Sequence, residues 1–332
     1  MKSSKFLAII LISLVGLSLC ILLSLTLGAR VIPFNETMDA IFLNQRDTVN
    51  QIVVFERIPR TVFGILAGMA LGVSGAIMQA ITRNPIADPS ILGVNTGASL
   101  AVVIGIAFFS IGSLNAYIWF AIGGAAVTAL AVYTIGSIGS GGPTPIKLAL
   151  AGAATSAALS SLVSAVMLPR TEVMNLFRFW QVGSISGATW EGISTVLPFL
   201  VIGLGVSFAL APALDILALG EELATGLGVK TNTIRMIGAT GGVLLTGATT
   251  AIAGPIGFVG LMVPHIVRLV VGSSLKMVLP LSAIGGAILL LGSDVLGRVI
   301  GRPSELEAGI ITAFIGAPIL IMIARKAKVK LL

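Results

Sequence analysis

Ten apolar stretches, each close to the ~20 residues that cross a bilayer as a helix, take up most of this chain. They lie at 6–27, 61–80, 91–111, 117–135, 148–168, 193–214, 236–254, 257–271, 277–295 and 308–324. The runs are continuous, whereas a transmembrane barrel needs alternating segments of ~10 residues. Helices are therefore expected, because a helix satisfies its own backbone inside lipid. Charged residues make up only 10% of the 332, against roughly 25% in soluble domains. A water-facing surface cannot be built from so few. The sequence predicts an all-α membrane protein, a polytopic bundle of about ten transmembrane helices forming one membrane domain over 1–332.

The net charge is +7, and its placement is more informative than its size. Threaded alternately, ten spans put all eight lysines and Arg83, Arg235, Arg268 and Arg325 on one side, facing Asp88, Asp215, Glu221 and Glu222. The other eight arginines and the remaining acids fall on the opposite side. Cationic loops stay cytoplasmic, so both termini are expected inside, and the basic balance speaks for a membrane rather than nucleic acid. The single cysteine, Cys20, allows no internal disulfide. It ends Leu17-Ser18-Leu19-Cys20, but Leu19 is too large for a lipoprotein cleavage box, and a 22-residue apolar run is too long for a signal peptide.

Region 236–271 is too long for one span. Gly254-Pro255-Ile256-Gly257 in its middle predicts a break, since Pro removes a helix donor and Gly permits sharp turns. Of the 17 residues in 149–165, 13 are Gly, Ala, Ser or Thr. Small residues allow close helix packing. Ser156, Ser160 and Ser164 also share one helix face, so the same stretch suits a polar pathway.

Few residues offer covalent chemistry. Gly72-Val73-Ser74-Gly75 matches the Gly-x-Ser-Gly of intramembrane serine proteases, but a nucleophilic serine needs a neighbouring base, and the only histidine, His265, lies in another span. One histidine cannot make a zinc site. The nearest phosphate-loop candidate, 139–147, has two prolines and no Ser or Thr after its Lys, so ATP binding by this chain is not expected. No catalytic residue, metal or cofactor is assigned. No buried acidic or histidine relay suggests an ion-driven carrier, so any energy would come from a partner.

Two polar groups stand out. In the inner segment 215–235, Glu221-Glu222 opens a short helix, where acids suit the dipole. Leu219, Leu223 and Leu227 form an apolar edge that fits either a partner groove or a cap on the chain's own helices. On the outer side, Arg57, Arg60 and Arg298 sit at span ends. They are either interfacial anchors or receptors for carboxylates, which arginine binds bidentately.

These motifs together resemble one family. Arg57-Ile58-Pro59-Arg60 is similar to its Arg-x-Pro-Arg signature, residues 75–93 (GAIMQAITRNPIADPSILG) to its most recognisable segment, 218–229 to its coupling loop, and 254–268 (GPIGFVGLMVPHIVR) to a fourth motif. The family is the permeases of iron-siderophore, haem and cobalamin ABC importers. The resemblance covers nearly the whole chain. It implies a ten-helix permease, with a ferric siderophore as the first expected cargo and cobalamin or haem as alternatives. Its partners would be a second permease subunit, two cytoplasmic ATP-binding subunits and an extracytoplasmic substrate-binding protein. Arg57, Arg60 and Arg298 would dock glutamates of the binding protein. Glu221, Glu222, Leu223, Ala224, Leu227 and Gly228 would contact the ATPases. Ser156, Ser160, Ser164 and Thr312 would line the pathway between permeases. Two departures stand out: Glu307 replaces the usual proline before the last span, and Ser273-Ser274-Leu275-Lys276 lacks the usual acid-His-Arg cluster.

Overall fold

A computed structural model describes residues 3–85, 87–139 and 144–326. Lys2, Lys328 and Lys330 of the charge asymmetry, Ile86 of the 75–93 motif and residues 140–143 of the phosphate-loop candidate lie outside it. Among the described residues the secondary structure is helical, with no strand. In order the α-helices are α1 (Ser3–Thr26), α2 (Phe34–Phe42), α3 (Val49–Thr82), α4 (Val94–Phe109), α5 (Leu114–Gly136), α6 (Pro145–Met167), α7 (Thr171–Gln181), α8 (Trp190–Leu217), α9 (Glu221–Gly226), α10 (Thr231–Ala253), α11 (Val259–Val271), α12 (Leu275–Ile300) and α13 (Ala308–Lys326). A 3₁₀ turn, Pro89–Leu92, precedes α4. Among the described residues seven helices are long and apolar enough to cross a membrane, and the apolar helices Val94–Phe109, Val259–Val271 and Ala308–Met322 are shorter. All ten expected apolar stretches fall on these helices.

The second stretch differs from expectation. Hydropathy places its start at 61, after a polar segment at 29–59, yet α3 begins at Val49. The start is set by a capping box: the Gln51 N–H donates to Thr48 Oγ1 at 3.2 Å, and the Thr48 N–H donates to Gln51 Oε1 at 3.1 Å. These bonds satisfy two of the orphan donors at a helix N-terminus. α3 ends where Arg83 turns left-handed, at φ 51°, just before Asn84-Pro85. Its 34 residues span about 51 Å.

α3 is the central helix because its glycines remove the side chains that would hold neighbours away. A Cβ at Gly68 would lie 2.4 Å from the Gly286 carbonyl oxygen of α12, and one at Gly72 would lie 2.1 Å from that of Ser282. One at Gly75 would lie 2.0 Å from the Gly260 oxygen of α11. Backbone therefore meets backbone at three successive turns. Lipid tails are as apolar as leucine, so close contact of this kind is what holds membrane helices together. α1 packs at the margin and presents Leu7, Leu11, Ile12, Val15 and Leu19 outward.

The expected break at 254–257 separates α10 from α11. It is bonded into a junction of irregular backbone: the Ser184 N–H donates to Ala253 O at 2.7 Å, and the Gly309 N–H to Gly183 O at 2.8 Å. The irregular backbone at 183–184 thus supplies partners for the orphan groups at the end of α10 and the start of α13, as a low-dielectric setting demands.

Replacing Gly72 by valine should lower the unfolding midpoint of the purified protein in detergent by the equivalent of about 1–3 kcal/mol. Gly292→Ala on α12, whose added Cβ meets nothing within 4 Å, should leave it unchanged. Equal midpoints for the two variants would mean that the α3–α12 approach is not close.

Candidate functional site

α1 ends with free carbonyls, as every helix does, and these organise the arginine group. Arg57 Nη1 donates to Leu25 O at 2.8 Å and Nη2 to Arg30 O at 2.7 Å. Arg298 Nη1 donates to Ser24 O and Leu27 O, both at 3.0 Å, and Nη2 to Ser24 Oγ at 3.1 Å. Arg302 Nε donates to Gly28 O at 2.9 Å. Three cations therefore sit on the negative end of the α1 dipole. A Cβ at Gly28 would fall 2.6 Å from Arg57 Nη2, so the chain turns there without a side chain.

The charges are only partly balanced. Asp294 lies one turn before Arg298 on α12, with Oδ2 at 3.0 Å from Arg298 Nη2. That approach is a charge contact rather than an aligned hydrogen bond. Asp294 Oδ1 accepts from Arg60 Nη2 at 2.7 Å and from Arg60 Nε at 3.1 Å. Arg60 Nη1 donates to Glu305 Oε2 at 2.7 Å. The Asp294 and Arg298 side chains are 1% exposed, Arg60 12% and Glu305 35%.

The three expected docking arginines are placed differently. Arg57 and Arg298 are buried and turned onto α1 carbonyls. Only Arg60 approaches the rim, in company with Glu305. Sequence reasoning missed Asp294 as the hub, though its i,i+4 spacing to Arg298 was a usable signal.

At the opposite end of α3 lies the 215–235 segment, as the bonds of the neighbouring turns show. Arg83, just past α3, donates to Leu217 O at the end of α8. Asp215 accepts from Ser274 Oγ at 3.0 Å and from the Leu275 N–H at 2.7 Å, capping α12. Ser274 belongs to the stretch that departs from the family pattern, and this capping bond gives it a role. α9 opens at Glu221, as expected. Leu219, Leu223 and Leu227 are 64%, 60% and 65% exposed, so the apolar edge does not cap the chain's own helices. Glu222 and Gly228 are exposed too. Two residues differ from the expected contact set. Ala224 is fully buried because it anchors α9 inward. Glu221 is turned to α10, where it accepts from Arg235.

On α6, Ser160 and Ser164 are exposed, while Ser156 is half-buried and within 3.2 Å of Thr96 Oγ1. Thr312 is fully buried and donates to Gly309 O at 3.0 Å. It faces the fold, so it does not line a path along the exposed side of α13, which carries Ile310 and Phe314. Glu307 lies just before α13, and its carbonyl accepts from the Ile310 N–H at 3.0 Å. An acid there suits the helix dipole.

Ser74 of the protease-like pattern is buried; it donates to Leu71 O at 2.9 Å and takes a bond from Thr246. Neither partner is a base. No cluster of three metal-ligating side chains occurs among the described residues.

The chain is thus a helical membrane protein with a carboxylate–guanidinium group at one end of α3 and an exposed leucine-edged helix at the other. Its sequence matches the FecCD transport family over residues 16–326, and the chain belongs to that family. It is 42% identical over 327 residues to the Fe(3+)-citrate import system permease protein YfmD of Bacillus subtilis, covering 98% of this chain and 97% of that one. It is 42% identical over 305 residues to the ferric enterobactin transport system permease protein FepD of Escherichia coli, covering 92% and 91%. A protein described as an ABC transporter of the metal-chelate type, solved in an inward-facing conformation, superposes with a TM-score of 0.83 at 27% identity, over 97% of this chain and 99% of that one.

Asp294→Ala should destabilise the purified chain in detergent by about 3–5 kcal/mol, because it strands a buried guanidinium. Glu305→Ala, at the exposed rim, should cost about 1 kcal/mol or less. Chemical unfolding of the two variants without any partner protein checks this. Equal losses would mean that Asp294 is not the hub of the group.

Proposed function

We propose that this chain is the membrane permease subunit of an ABC importer, carrying a ferric siderophore across the cytoplasmic membrane of a bacterium. The observation that carries the reading is the separation of the two sites. From Arg60 to Thr82 the α3 axis rises about 33 Å, roughly one bilayer core. The arginine–acid rim thus faces one aqueous side and α9 the other. The identity of the cargo rests on the relatives, whose names specify ferric citrate and ferric enterobactin.

In this reading the chain pairs with a second permease subunit, and the exposed serine face of α6 borders the path between them. Two cytoplasmic ATP-binding subunits hydrolyse ATP and engage the Leu219–Leu223–Leu227 edge. An extracytoplasmic binding protein delivers the chelate to the end that carries Arg60 and Glu305. The buried Arg57 and Arg298 shape that surface by fixing α1 rather than by touching the partner. No covalent chemistry takes place in this chain, and it holds no cofactor. The whole of 1–332 acts as one permease domain with ten spans and both termini cytoplasmic.

Reconstitution with a second permease subunit, the ATPase and the binding protein should give ATP-dependent uptake of a ferric siderophore into liposomes. Preferential uptake of cobalamin or haem would overturn the cargo. Leu223→Asp should cut uptake by about tenfold or more, since a partner groove excludes an unpaired charge. Normal uptake and normal ATPase co-purification in that variant would remove α9 as the contact.

Topology has its own check. A reporter active only outside the cell should work when fused after Asn44 or Met174 and fail after Lys230. Activity after Lys230 would put α9 on the wrong side for an ATPase.

A further inference from the structure

α9 is six residues long, too short to hold its shape alone. Gly220 stands at its start with φ +130° and Gly228 just beyond its end with φ +83°, and an added Cβ meets nothing at either position. The glycines are therefore required by the backbone conformation rather than by crowding. α9 is a short rod between two glycine turns, each closed by local backbone bonds: the Gly220 N–H donates to Leu217 O at 3.2 Å and the Gly228 N–H to Thr225 O at 2.9 Å. Such bonds stay within the segment, so a push on its leucine edge reaches the bundle only through contacts that cross to another helix.

The tie is visible in the side chains. Glu221, the first residue of α9, accepts from Arg235 through both carboxylate oxygens: Nη1 lies 3.2 Å from Oε1, and Nη2 lies 3.1 Å from Oε2. Thr231 Oγ1 adds a third bond to Oε1 at 3.3 Å. Two parallel bonds from one guanidinium fix orientation as well as distance. Ala224 seats the rod but carries no directional bond from its side chain.

Arg235 does more than hold Glu221. It lies in the first turns of α10 and lines a cavity of about 450 Å³, walled also by Met78 and Arg83 at the end of α3, Leu148 and Ala149 of α6, and Ala239 of α10. Ala149 stands seven residues before Ser156 on α6, so the two share a helix face. One side chain therefore joins α9 to the wall of a cavity between the ends of α3, α6 and α10.

We propose that the Glu221–Arg235 pair is the strut that converts movement of α9 into movement of the first turns of α10, and so couples ATP hydrolysis to opening and closing of this cavity. Glu221 is then a positioning residue that acts through Arg235, and Glu222 is the acid left to face the partner. The inference rests on the importer reading above and gives that reading a mechanical link.

The test uses the complete importer in liposomes and measures iron chelate delivered per ATP hydrolysed. In Glu221→Gln and in Arg235→Gln, hydrolysis should stay within about twofold of the unmodified complex while the delivered ratio falls about fivefold or more. Arg235→Lys keeps the charge but loses the fork, so its ratio should lie between. The reversed pair, Glu221→Arg with Arg235→Glu, should recover at least about half of the original ratio, as a direct interaction requires. If a single reversal does not assemble, the neutral variants carry the comparison.

Unchanged ratios in the neutral variants, or a reversed pair no better than the single changes, would overturn the strut while leaving the importer reading in place. Absence of ATP-dependent uptake by the unmodified complex would overturn the importer reading itself, and the strut with it.

Discussion

Backbone contact between α3 and its neighbours is the constraint on which the rest of the molecule depends. In water, apolar faces seek each other because leaving water is favourable. Between helices in lipid that drive is absent, and cohesion comes from dispersion over closely matched surfaces. Gly68, Gly72 and Gly75 bring α12 and α11 to within backbone distance of α3. A comparable approach at Gly97 and Gly124 joins α4 to α5, where a Cβ at Gly124 would lie 2.3 Å from the Gly97 oxygen. The high glycine content, 40 of 332 residues, is in this sense the cohesive element of the fold.

A rigid centre also explains why buried charge is tolerated at one end. A guanidinium taken out of water is costly unless its donors are used. Here α12 and α3 are held together, so Arg298 and Arg57 meet the carbonyls of α1 in one fixed geometry. The arginines need acceptors, the α1 terminus needs donors, and each supplies the other. Asp294 then offsets part of the positive charge, and Arg60 carries the remainder out to Glu305. The rim is positioned because the buried layer beneath it is complete.

Much of the fold was legible in the sequence. The ten apolar runs, the break at 254–257 and the opening of α9 at Glu221 each follow from a local rule that lipid enforces strictly. The start of α3 was not legible, because Asn50, Gln51, Glu56, Arg57, Pro59 and Arg60 break the apolar run over 49–60 and a capping box such as Thr48–Gln51 is a weak signal beside hydropathy. α2 and α7 were missed for the same reason, since they lie outside the apolar runs. Side-chain direction was the larger gap. The sequence puts Arg57 and Arg298 at helix ends, but not the free carbonyls of α1 opposite them. It puts Thr312 on α13, but a rotation of half a turn decides whether it meets a path or the core. The leucine edge of α9 could be read because its spacing alone sets a face, and only the neighbouring helices could say that nothing covers it.

Close packing and movement are allotted to different parts of the chain. Along α3 a shift of one turn would drive backbone into backbone, so this core can rotate or tilt only as a block. α9 has the opposite character: two unencumbered glycines, one buried alanine and a forked ion pair. Moving a short element held by such a tie leaves the packing of the core undisturbed. A device that moves on each cycle of a partner is therefore better linked through the Glu221–Arg235 fork than through interdigitated side chains. The tightly packed centre transmits displacement, and the lightly tied periphery is where displacement can begin.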